Sequence, residues 1–296
     1  VQQAAPYIPV NGKTIVLYSD VPLVSAKTLK KLIRSSLRKK ISILTTNLKN
    51  PKGYGRVVRT EKQDIEAIKE EADANSKEKQ IQEIFSGIMV VDNAFLKKGL
   101  KTLVRNNAAG EYYLTDLVSY AQRTKNKVGW YSIEQEEVLG ANNKHELSEL
   151  YKAMVALNIR AAKQKGTIFK DEDTCYVEGQ LKVGKDVKIG NNVTLKGNVQ
   201  LGDNVVIESN CLISNSKILK GSIIKDFCSI EDSKIASNVE VGPFARLRSG
   251  AMLESSSKVG NFVEIKNSKI GESSKANHHA YLGDAEIGKK SNIGAG

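Results

Sequence analysis

Residues 183–207 read VGKDVKIGNNVTLKGNVQLGDNVVI, and this stretch decides the fold of the second half of the chain. Apolar residues recur every six positions, and a second apolar series follows the first after four residues. The first series is Val183, Ile189, Leu195, Leu201 and Ile207, and the second is Val187, Val193, Val199, Val205 and Cys211. A six-residue period is typical of the hexapeptide repeat, in which each repeat forms one flat face and three faces make a coil. The segment therefore predicts a parallel β-helix.

The six-residue register returns further along the chain, which extends the predicted β-helix to its last residues. Cys211 occupies an inward-facing repeat position, which predicts a core thiol rather than a nucleophile. Because Gly and Asn adopt positive φ more readily than other residues, we expect them at the corners between faces. The returning register is formed by Ile235, Val241, Leu247, Leu253, Val259 and Ile265, and then steps by five to Ile270. The corner candidates are Gly184, Gly190, Gly202, Asn192, Asn198 and Asn204.

The first half of the chain alternates strand-like and helix-like stretches. Residues 14–18 (TIVLY) are a short β-branched run, and residues 25–33 then carry apolar residues at helical spacing. Further strands are predicted at residues 41–46, 56–59 and 85–91, and helices at residues 93–104 and 114–124. Strands that alternate with helices predict an α/β layer fold with a mainly parallel, Rossmann-like sheet.

The pattern changes near Asn142, where a long helix is predicted. Asn143 precedes Glu146 by three residues, which is typical of a helix N-cap, and apolar residues then recur at spacings of three and four. We therefore predict a linker helix over residues 144–166, ended by Gly166. The predicted organisation is an α/β domain at residues 1–143, this helix, and a hexapeptide-repeat domain at residues 167–296.

The composition is that of a globular protein and argues against several classes. The chain has 296 residues, of which 40% are hydrophobic and 26% charged, and a formal net charge of +12. No run approaches the roughly 20 apolar residues of a membrane helix, and no basic-then-apolar leader opens the chain. The three cysteines are far apart, which argues against a disulfide framework or a zinc site. We expect a cytoplasmic protein with anionic small-molecule partners, no membrane insertion and no nucleic acid.

Motifs along the whole chain resemble one bacterial enzyme family. They are YSDVPL at residues 18–23, NPKGYGR at 50–56, GEYYLTD at 110–116, GANN at 140–143, GPFARLR at 242–248 and YLGDAE at 281–286. In this order they resemble the bifunctional N-acetylglucosamine-1-phosphate uridyltransferases / glucosamine-1-phosphate acetyltransferases. The resemblance implies a nucleotidyltransferase domain, a left-handed parallel β-helix and a homotrimer. It also implies a segment of a longer protein, because the family's glycine-rich nucleotide loop would precede Val1 and further coils would follow Gly296.

The resemblance implies two reactions that together make UDP-N-acetylglucosamine. Acetyl-CoA acetylates glucosamine-1-phosphate, and the N-acetylglucosamine-1-phosphate then takes a uridylyl group from UTP. For the second reaction it implies Mg²⁺ bound by Asp20 and Asn142, whose oxygens suit that cation. Asp20 is predicted to end a buried strand, where open α/β sheets place their ligands. The family has an asparagine that contacts the sugar where this chain has Phe85. The other implied uridyltransferase contacts are Tyr18, Ser19, Gly55, Glu70 and Tyr113.

The residues implied for acetyl transfer lie in the hexapeptide repeats. His278 matches the family's general base, which would take a proton from the amine before that amine attacks the thioester. Its neighbour His279 is expected to face the opposite side, because adjacent residues of an extended stretch alternate. Arg248 and Lys266 match the phosphate-holding pair, and a guanidinium with an ammonium suits a phosphomonoester. Tyr281 and Asn292 match sugar contacts, and Ala295 matches a backbone contact to acetyl-CoA.

Two other hypotheses stay open. Another nucleotidyltransferase with a hexapeptide-repeat tail, such as a thymidylyltransferase, has the same order of domains. A purely structural tail needs neither the motif at residues 245–248 nor His278, which argues against this hypothesis. A non-catalytic module that only forms trimers is the alternative from a different class, and a substrate-binding measurement on the chain would distinguish it from an enzyme.

Overall fold

The computed structural model of the protein describes residues 1–141 and 143–295. The chain forms two compact units, Val1–Leu150 and Tyr151–Gly296. Within the described residues, no helix is both long and apolar enough to cross a membrane. The implied metal ligand Asn142 lies outside the described residues.

The first unit is the predicted α/β layer structure. It contains the helices α1 (Ala26–Ser35), α2 (Asn93–Leu100) and α3 (Asp116–Arg123), and the helix α4 (Lys144–Lys163) begins in it and continues into the second unit. Its strands are β1 (Lys13–Val16), β2 (Ile41–Asn47), β3 (Arg56–Arg59), β4 (Ile65–Lys69), β5 (Glu83–Asp92) and β6 (Gly129–Ser132). Short 3-10 helices lie at Gln2–Tyr7, Glu78–Gln80 and Gln135–Val138.

The sheet of this unit is mixed, where the alternation of elements predicted a mainly parallel one. Its order is β4-β3-β5-β2-β6, with β1 also paired to β5. Among the described strands of this sheet, only β2 and β6 pair in parallel, and β5 runs antiparallel to β1, β2 and β3. The difference has two causes. The strand β4, which was not predicted, forms an antiparallel hairpin with β3, and β5 returns into the middle of the sheet between β1 and β2.

Helices cover both faces of this sheet. Side chains of β5 alternate between the faces, so that Met89 and Val91 pack towards α2 and α3 while Ile88 and Val90 pack towards α1. The strand is almost entirely buried, and Leu32 of α1 is fully buried against it. With both faces covered, the strand ends and the loops beside them are left to hold a ligand.

The capping pattern predicted for the long helix is present at the start of α4. The Asn143 side chain accepts a hydrogen bond from the Glu146 backbone N–H at 2.9 Å and donates to the Glu146 carboxylate at 2.8 Å. The first bond satisfies a backbone N–H that a helix N-terminus leaves without an intrahelical partner, and the second holds the capping side chain in place. The helix ends at Lys163, and Gly166 follows with a φ of +93°. Val155 and Ile159 of α4 pack against the first coil of the second unit.

The second unit is the predicted β-helix. From β8 onward, the paired strand residues lie in parallel with residues 17 or 18 positions away, as in Leu195↔Ile213 and Ile213↔Ile230. The 17-residue coils explain why the six-residue period lapses between residues 211 and 235 and steps by five at Ile270, because such a coil is one residue shorter. The strands are β7 (Ile168–Phe169), β8 (Tyr176–Val183), β9 (Lys188–Ile189), β10 (Thr194–Leu201), β11 (Val206–Ile207), β12 (Leu212–Ser214), β13 (Lys217–Ile218), β14 (Ile223–Ile224), β15 (Ser229–Glu231), β16 (Lys234–Ile235), β17 (Glu240–Val241), β18 (Arg246–Leu247), β19 (Met252–Leu253), β20 (Lys258–Lys266), β21 (Lys269–Ile270), β22 (Lys275–Gly283), β23 (Glu286–Ile287) and β24 (Asn292–Ile293).

The corners of the β-helix confirm one half of the glycine and asparagine prediction and correct the other. Asn192 and Asn204 have positive φ, as expected, whereas Asn198 does not and Gly197 takes that corner. The φ values of Gly184, Gly190 and Gly202 are not positive either. These glycines are needed for close coil packing instead: a Cβ on Gly202 would lie 2.6 Å from the Lys220 backbone nitrogen of the next coil. Cys211 is 2% exposed, which confirms its predicted place in the core.

Candidate functional sites

A cleft beside β5 collects several of the residues predicted for uridyl transfer. The Tyr18 ring lies against Gly87, where a Cβ would approach the ring to 2.5 Å and where φ is +84°. Glycine is therefore required in the middle of this strand. Burial, together with the nearby carboxylates of Glu70 and Asp20, raises the pKa of Tyr18. The neutral phenol is the form that this cleft favours.

Gly55 and Glu70 face each other across the β3–β4 hairpin in the same cleft. A Cβ on Gly55 would lie 3.2 Å from a Glu70 carboxylate oxygen and 2.8 Å from the Ile68 side chain, so the backbone there is open only because the residue is glycine. The other Glu70 oxygen accepts a hydrogen bond from the Thr115 hydroxyl at 2.8 Å. Thr115 thus fixes the Glu70 carboxylate, which the resemblance implies as a uridyltransferase contact.

Asp20 reaches the cleft from a different position than expected. It follows the end of β1 by four residues, and β1 is a half-buried strand rather than a buried one. The reason is that β1 pairs only with β5 in the described sheet and has no second neighbour. The Asp20 carbonyl accepts a hydrogen bond from Ala141 at 3.2 Å, so the segment that leads to Asn142 lies beside it.

The single carboxylate of Asp20 fits a magnesium ion whose other ligands are mostly phosphate and water oxygens. Within the described residues, no hydrogen bond or ion pair engages the Asp20 carboxylate, and no group of three His, Cys, Asp or Glu side chains could form a complete metal cage. Mg²⁺ is commonly held by one or two carboxylates together with substrate phosphates. Asp20 therefore fits as a single protein ligand in the described part of the chain.

The other residues assigned to this site take different positions. Tyr113 lies beside Asp73 and Glu70, and burial together with these carboxylates raises its pKa. Ser19 lies in the exposed turn between Tyr18 and Asp20. The Phe85 side chain is 5% exposed and belongs to the core on the α2 and α3 face. Its backbone N–H donates to the Gly55 carbonyl at 2.9 Å.

On the β-helix, the two predicted phosphate ligands stand in one column. Leu247 pairs with Ile265, so Arg248 and Lys266 lie side by side on neighbouring coils, about 4.8 Å apart along the backbone. Gly283 follows Lys266 in the same column. The Tyr281 hydroxyl lies over Gly283, because a Cβ there would be 2.6 Å from it. The structure therefore brings a guanidinium, an ammonium and a phenol together on one outward face.

A carboxylate holds the cationic column in place. Glu264 accepts a hydrogen bond from Arg248 Nη1 at 2.9 Å and lies 3.8 Å from Arg246 Nη1. Lys266 Nζ lies 3.6 Å from an Asp284 carboxylate oxygen. These ion pairs are partly exposed, so they orient the cations more than they stabilise the fold.

His278, Asn292 and Ala295 lie on the face of the β-helix that comes before the face of the cationic column in each coil. His278 pairs with Asn261 in the ladder, and Asn292 pairs with Lys275 on the next coil, which puts Ala295 level with His278. Within residues 1–141 and 143–295, no hydrogen bond, ion pair or ring contact joins His278 to the cationic column. One corner of the β-helix separates the predicted base from the predicted phosphate ligands of the same chain.

That corner corrects the expectation for His279. Its φ is +47°, so the backbone turns there and the two imidazoles do not alternate across an extended strand. Their ring centroids lie 6.3 Å apart. His279 instead caps an exposed stack of rings, which we call the aromatic ladder, formed by Phe227, Phe244, Phe262 and His279. Successive centroids are separated by 4.9, 5.4 and 5.3 Å, and the three phenylalanines are about half exposed.

Sequence reasoning missed several residues that contact these sites. Thr115 lies inside the motif at residues 110–116, but neither it nor Gly87 was assigned a role, because their roles depend on contacts with residues far away in the chain. Arg246 and Glu264 could have been found, since each stands two positions before a predicted phosphate ligand and therefore on the same face. Tyr54 lies beside Gly55, and burial with the nearby Glu146 and Asp20 carboxylates raises its pKa.

Comparison with curated proteins finds relatives that align with the whole chain. The bifunctional protein GlmU of Acinetobacter baylyi is 43% identical over 299 residues, and GlmU of Nitrosomonas eutropha is 44% identical over 298 residues. Each alignment covers 100% of this chain and 65% of the relative. The chain is homologous to GlmU. It spans just under two thirds of the length of these GlmU relatives, and both candidate sites lie within the aligned part.

Other comparisons are weaker than the match to GlmU. A family model described as the GMPPB C-terminal domain matches residues 174–259, which belong to the β-helix. A solved structure of Francisella novicida UDP-N-acetylglucosamine acyltransferase aligns with a TM-score of 0.27 at 16% identity, over 40% of this chain and 59% of that one. A crystal structure described as a glucose-1-phosphate thymidylyltransferase from Bacillus anthracis aligns with a TM-score of 0.37 at 14% identity, over 50% of this chain and 56% of that one. These two scores are too low to carry an argument.

Proposed function

We propose that the β-helix of this protein transfers an acetyl group from acetyl-CoA to glucosamine-1-phosphate. The observation that carries the proposal is the column of Arg248, Lys266 and the Tyr281 hydroxyl. A phosphomonoester accepts hydrogen bonds from the guanidinium and the ammonium, which together match its charge. The homology to GlmU over the whole chain supports the same assignment.

In the proposed reaction, His278 takes a proton from the sugar amine. The freed nitrogen attacks the thioester carbonyl, the C–S bond breaks, and the thiolate of coenzyme A leaves and gains a proton. The exposed His278 ring is open to a substrate, and Ala295 beside it provides backbone for acetyl-CoA. Asn292, on the same face, is placed to contact the sugar.

We further propose that the first unit transfers a uridylyl group from UTP to N-acetylglucosamine-1-phosphate, which gives UDP-N-acetylglucosamine. The sugar phosphate oxygen attacks the α-phosphorus, and pyrophosphate leaves. Asp20, with Asn142, would hold Mg²⁺, which neutralises phosphate charge when bound. Gly55, Glu70, Tyr18, Ser19 and Tyr113 would surround the substrate. Phe85, in the core, would act on this site only through the backbone bond to Gly55.

We propose residues 1–143 as the uridyltransferase domain, residues 144–166 as the linker helix and residues 167–296 as the acetyltransferase domain. A cytoplasmic location fits this assignment, because the three buried free thiols suit a reducing compartment.

We propose that copies of the chain form a homotrimer through the aromatic ladder. The ladder exposes a straight row of rings parallel to the β-helix axis, and water contact at such a row is unfavourable. It also lies between His278 and the cationic column, so a neighbouring copy at this corner could complete the site. We expect Phe244→Ser to lower the apparent mass in light scattering. Leu219→Ser is the matched control, because it also replaces an exposed apolar side chain of the β-helix by serine, and it should leave the mass unchanged. A wild-type chain that stays monomeric would contradict the trimer.

Acetyl transfer itself is tested by comparing the two neighbouring histidines. We expect His278→Ala to lower kcat for coenzyme A release about 100-fold, the usual effect of removing a positioned base. His279→Ala, which removes the last ring of the ladder, should change kcat much less. Damage by His279→Ala with a tolerated His278→Ala would overturn the assignment of the base.

A further inference from the structure

The first unit carries a concentration of positive charge that neither proposed reaction uses. Residues 26–40 contain seven Lys or Arg residues and no Asp or Glu. This stretch includes α1 and the turn that follows it. It accounts for a large share of the formal net charge of +12.

The helix α1 directs its cations to solvent. It buries Thr28 and Leu32, and Ser36 directly after the helix is also buried, so one side packs on the sheet at a spacing of four residues. Lys27, Lys30 and Arg34 recur at spacings of three and four on the exposed side. The outer face of α1 is therefore a continuous basic stripe.

A second element brings further cations to the C-terminal end of this stripe. Leu37, Arg38 and Lys39 line a cleft of about 480 Å³ together with residues of the loop before β6, including Lys125. Lys13 and Asp92 also line the cleft, and the Lys13 ammonium donates to the Ser36 and Lys39 carbonyls at 2.6 and 2.7 Å. These bonds hold the turn after α1 in place.

Six of these cations have no carboxylate partner among the described residues. Two carboxylates of neighbouring elements are already engaged: Asp92 pairs with Lys40 at 3.3 Å, and Asp64 pairs with Lys127 at 3.2 Å. We call the six the cationic surface; they are Lys27, Lys30, Arg34, Arg38, Lys39 and Lys125. Its charge is thus available to an external anion.

Exposed apolar side chains lie among these cations. Leu37 is 72% exposed and Ile33 is 37% exposed, four residues apart on one flank of the stripe. An apolar side chain gains little on a phosphate backbone, but it gains free energy at the boundary between lipid headgroups and acyl chains. Basic residues with an apolar anchor on one helix are typical of binding to anionic lipid.

We propose that the cationic surface binds the protein to the surface of a bilayer that contains anionic phospholipid, with Leu37 and Ile33 at the headgroup boundary. The protein lies on the membrane and does not span it. The attraction is electrostatic and is therefore screened by salt over the Debye length. This property is independent of the proposed acetyl and uridylyl transfer.

The test is co-sedimentation of the full chain with vesicles of equal parts phosphatidylcholine and phosphatidylglycerol at about 0.1 M salt. We expect binding to these vesicles, none to pure phosphatidylcholine, and release at about 0.5 M salt. The triple variant Lys27→Glu, Lys30→Glu, Arg34→Glu should lose at least about tenfold in partitioning. Leu37→Ser should lose about threefold.

A matched control distinguishes the effect of where the charges lie from the effect of the total net charge. The triple variant Lys182→Glu, Lys217→Glu, Lys234→Glu makes the same change in net charge on the exposed face of the β-helix and should bind vesicles like the wild type. Equal loss in both triple variants would overturn the proposal. So would absence of vesicle binding by the wild type, or tighter binding to duplex RNA that Leu37→Ser does not change, which would assign the surface to nucleic acid.

Discussion

The β-helix and the α/β unit bring residues together by different rules. In the β-helix, neighbours on successive coils are 17 or 18 residues apart, so a contact follows from counting. In the α/β unit, the central strand β5 pairs with β1 across up to 79 residues, as in Lys13↔Asp92, and with β2 across 36 to 50 residues. Local spacing contains no information on such pairs. A repeat therefore makes the functional face predictable, whereas a non-repeating sheet does not.

The two candidate sites show the same difference. Arg248, Lys266 and Gly283 form a column because they are separated by one coil each. The cleft beside β5 is built from residues of separate segments, namely Tyr18, Gly55, Glu70, Gly87 and Thr115. Substitutions that disturb the two kinds of contact should differ in cost.

The largest effect is expected where coils touch through the backbone. A Cβ on Gly260 would lie 1.7 Å from the Asn277 carbonyl oxygen of the next coil, and a backbone atom within a ladder cannot move away. We expect Gly260→Ala to lower the free energy of unfolding by about 3 kcal/mol. Gly288→Ala is the control, because its Cβ would meet nothing closer than 3.9 Å. Denaturant unfolding measures both, and equal stability would contradict the close coil packing.

A smaller effect is expected in the α/β unit, where the obstructing group is a side chain. Gly87→Ala would push on the Tyr18 ring and strain a φ of +84°, and we expect a loss of about 2 kcal/mol. Gly53→Ala isolates the backbone part, because its φ is +89° and no atom lies within 4 Å of its Cβ. The difference between the two variants in unfolding experiments gives the contribution of the ring. No difference would mean that Tyr18 moves freely.

The order and type of the elements could be predicted well, and their pairing only in part. The step of five to Ile270 and the burial of Cys211 follow from the repeat, and α4 and its Asn143 cap follow from local chemistry. The mixed sheet was missed because strand direction depends on where β5 inserts. The turn at His279 was not predicted, because a histidine in the sequence does not by itself indicate a positive φ.

The smallest expected effect is a pH dependence in the α/β unit. The Arg56 hydrogen bond holds the pKa of Glu71 below its usual value of 4.5, and the two groups lie 2.7 Å apart. A lowered folded-state pKa contributes stability that is present above the unfolded value and is lost as pH falls through the folded value. We expect Glu71→Gln to flatten the loss of stability of the unit below pH 4.5. Exposed Glu66→Gln is the control, and a similar flattening in both variants would contradict the assignment.

The most direct test of the central claim is binding of glucosamine-1-phosphate to this chain by calorimetry. If the column on the β-helix holds the phosphate, the wild type binds the sugar phosphate, and Arg248→Ala and Lys266→Ala each weaken binding at least about tenfold, the cost of losing one charged hydrogen bond. Lys182→Ala, an exposed lysine on another face, should leave the affinity unchanged. Affinity that is the same in the wild type and in both column variants would contradict the account.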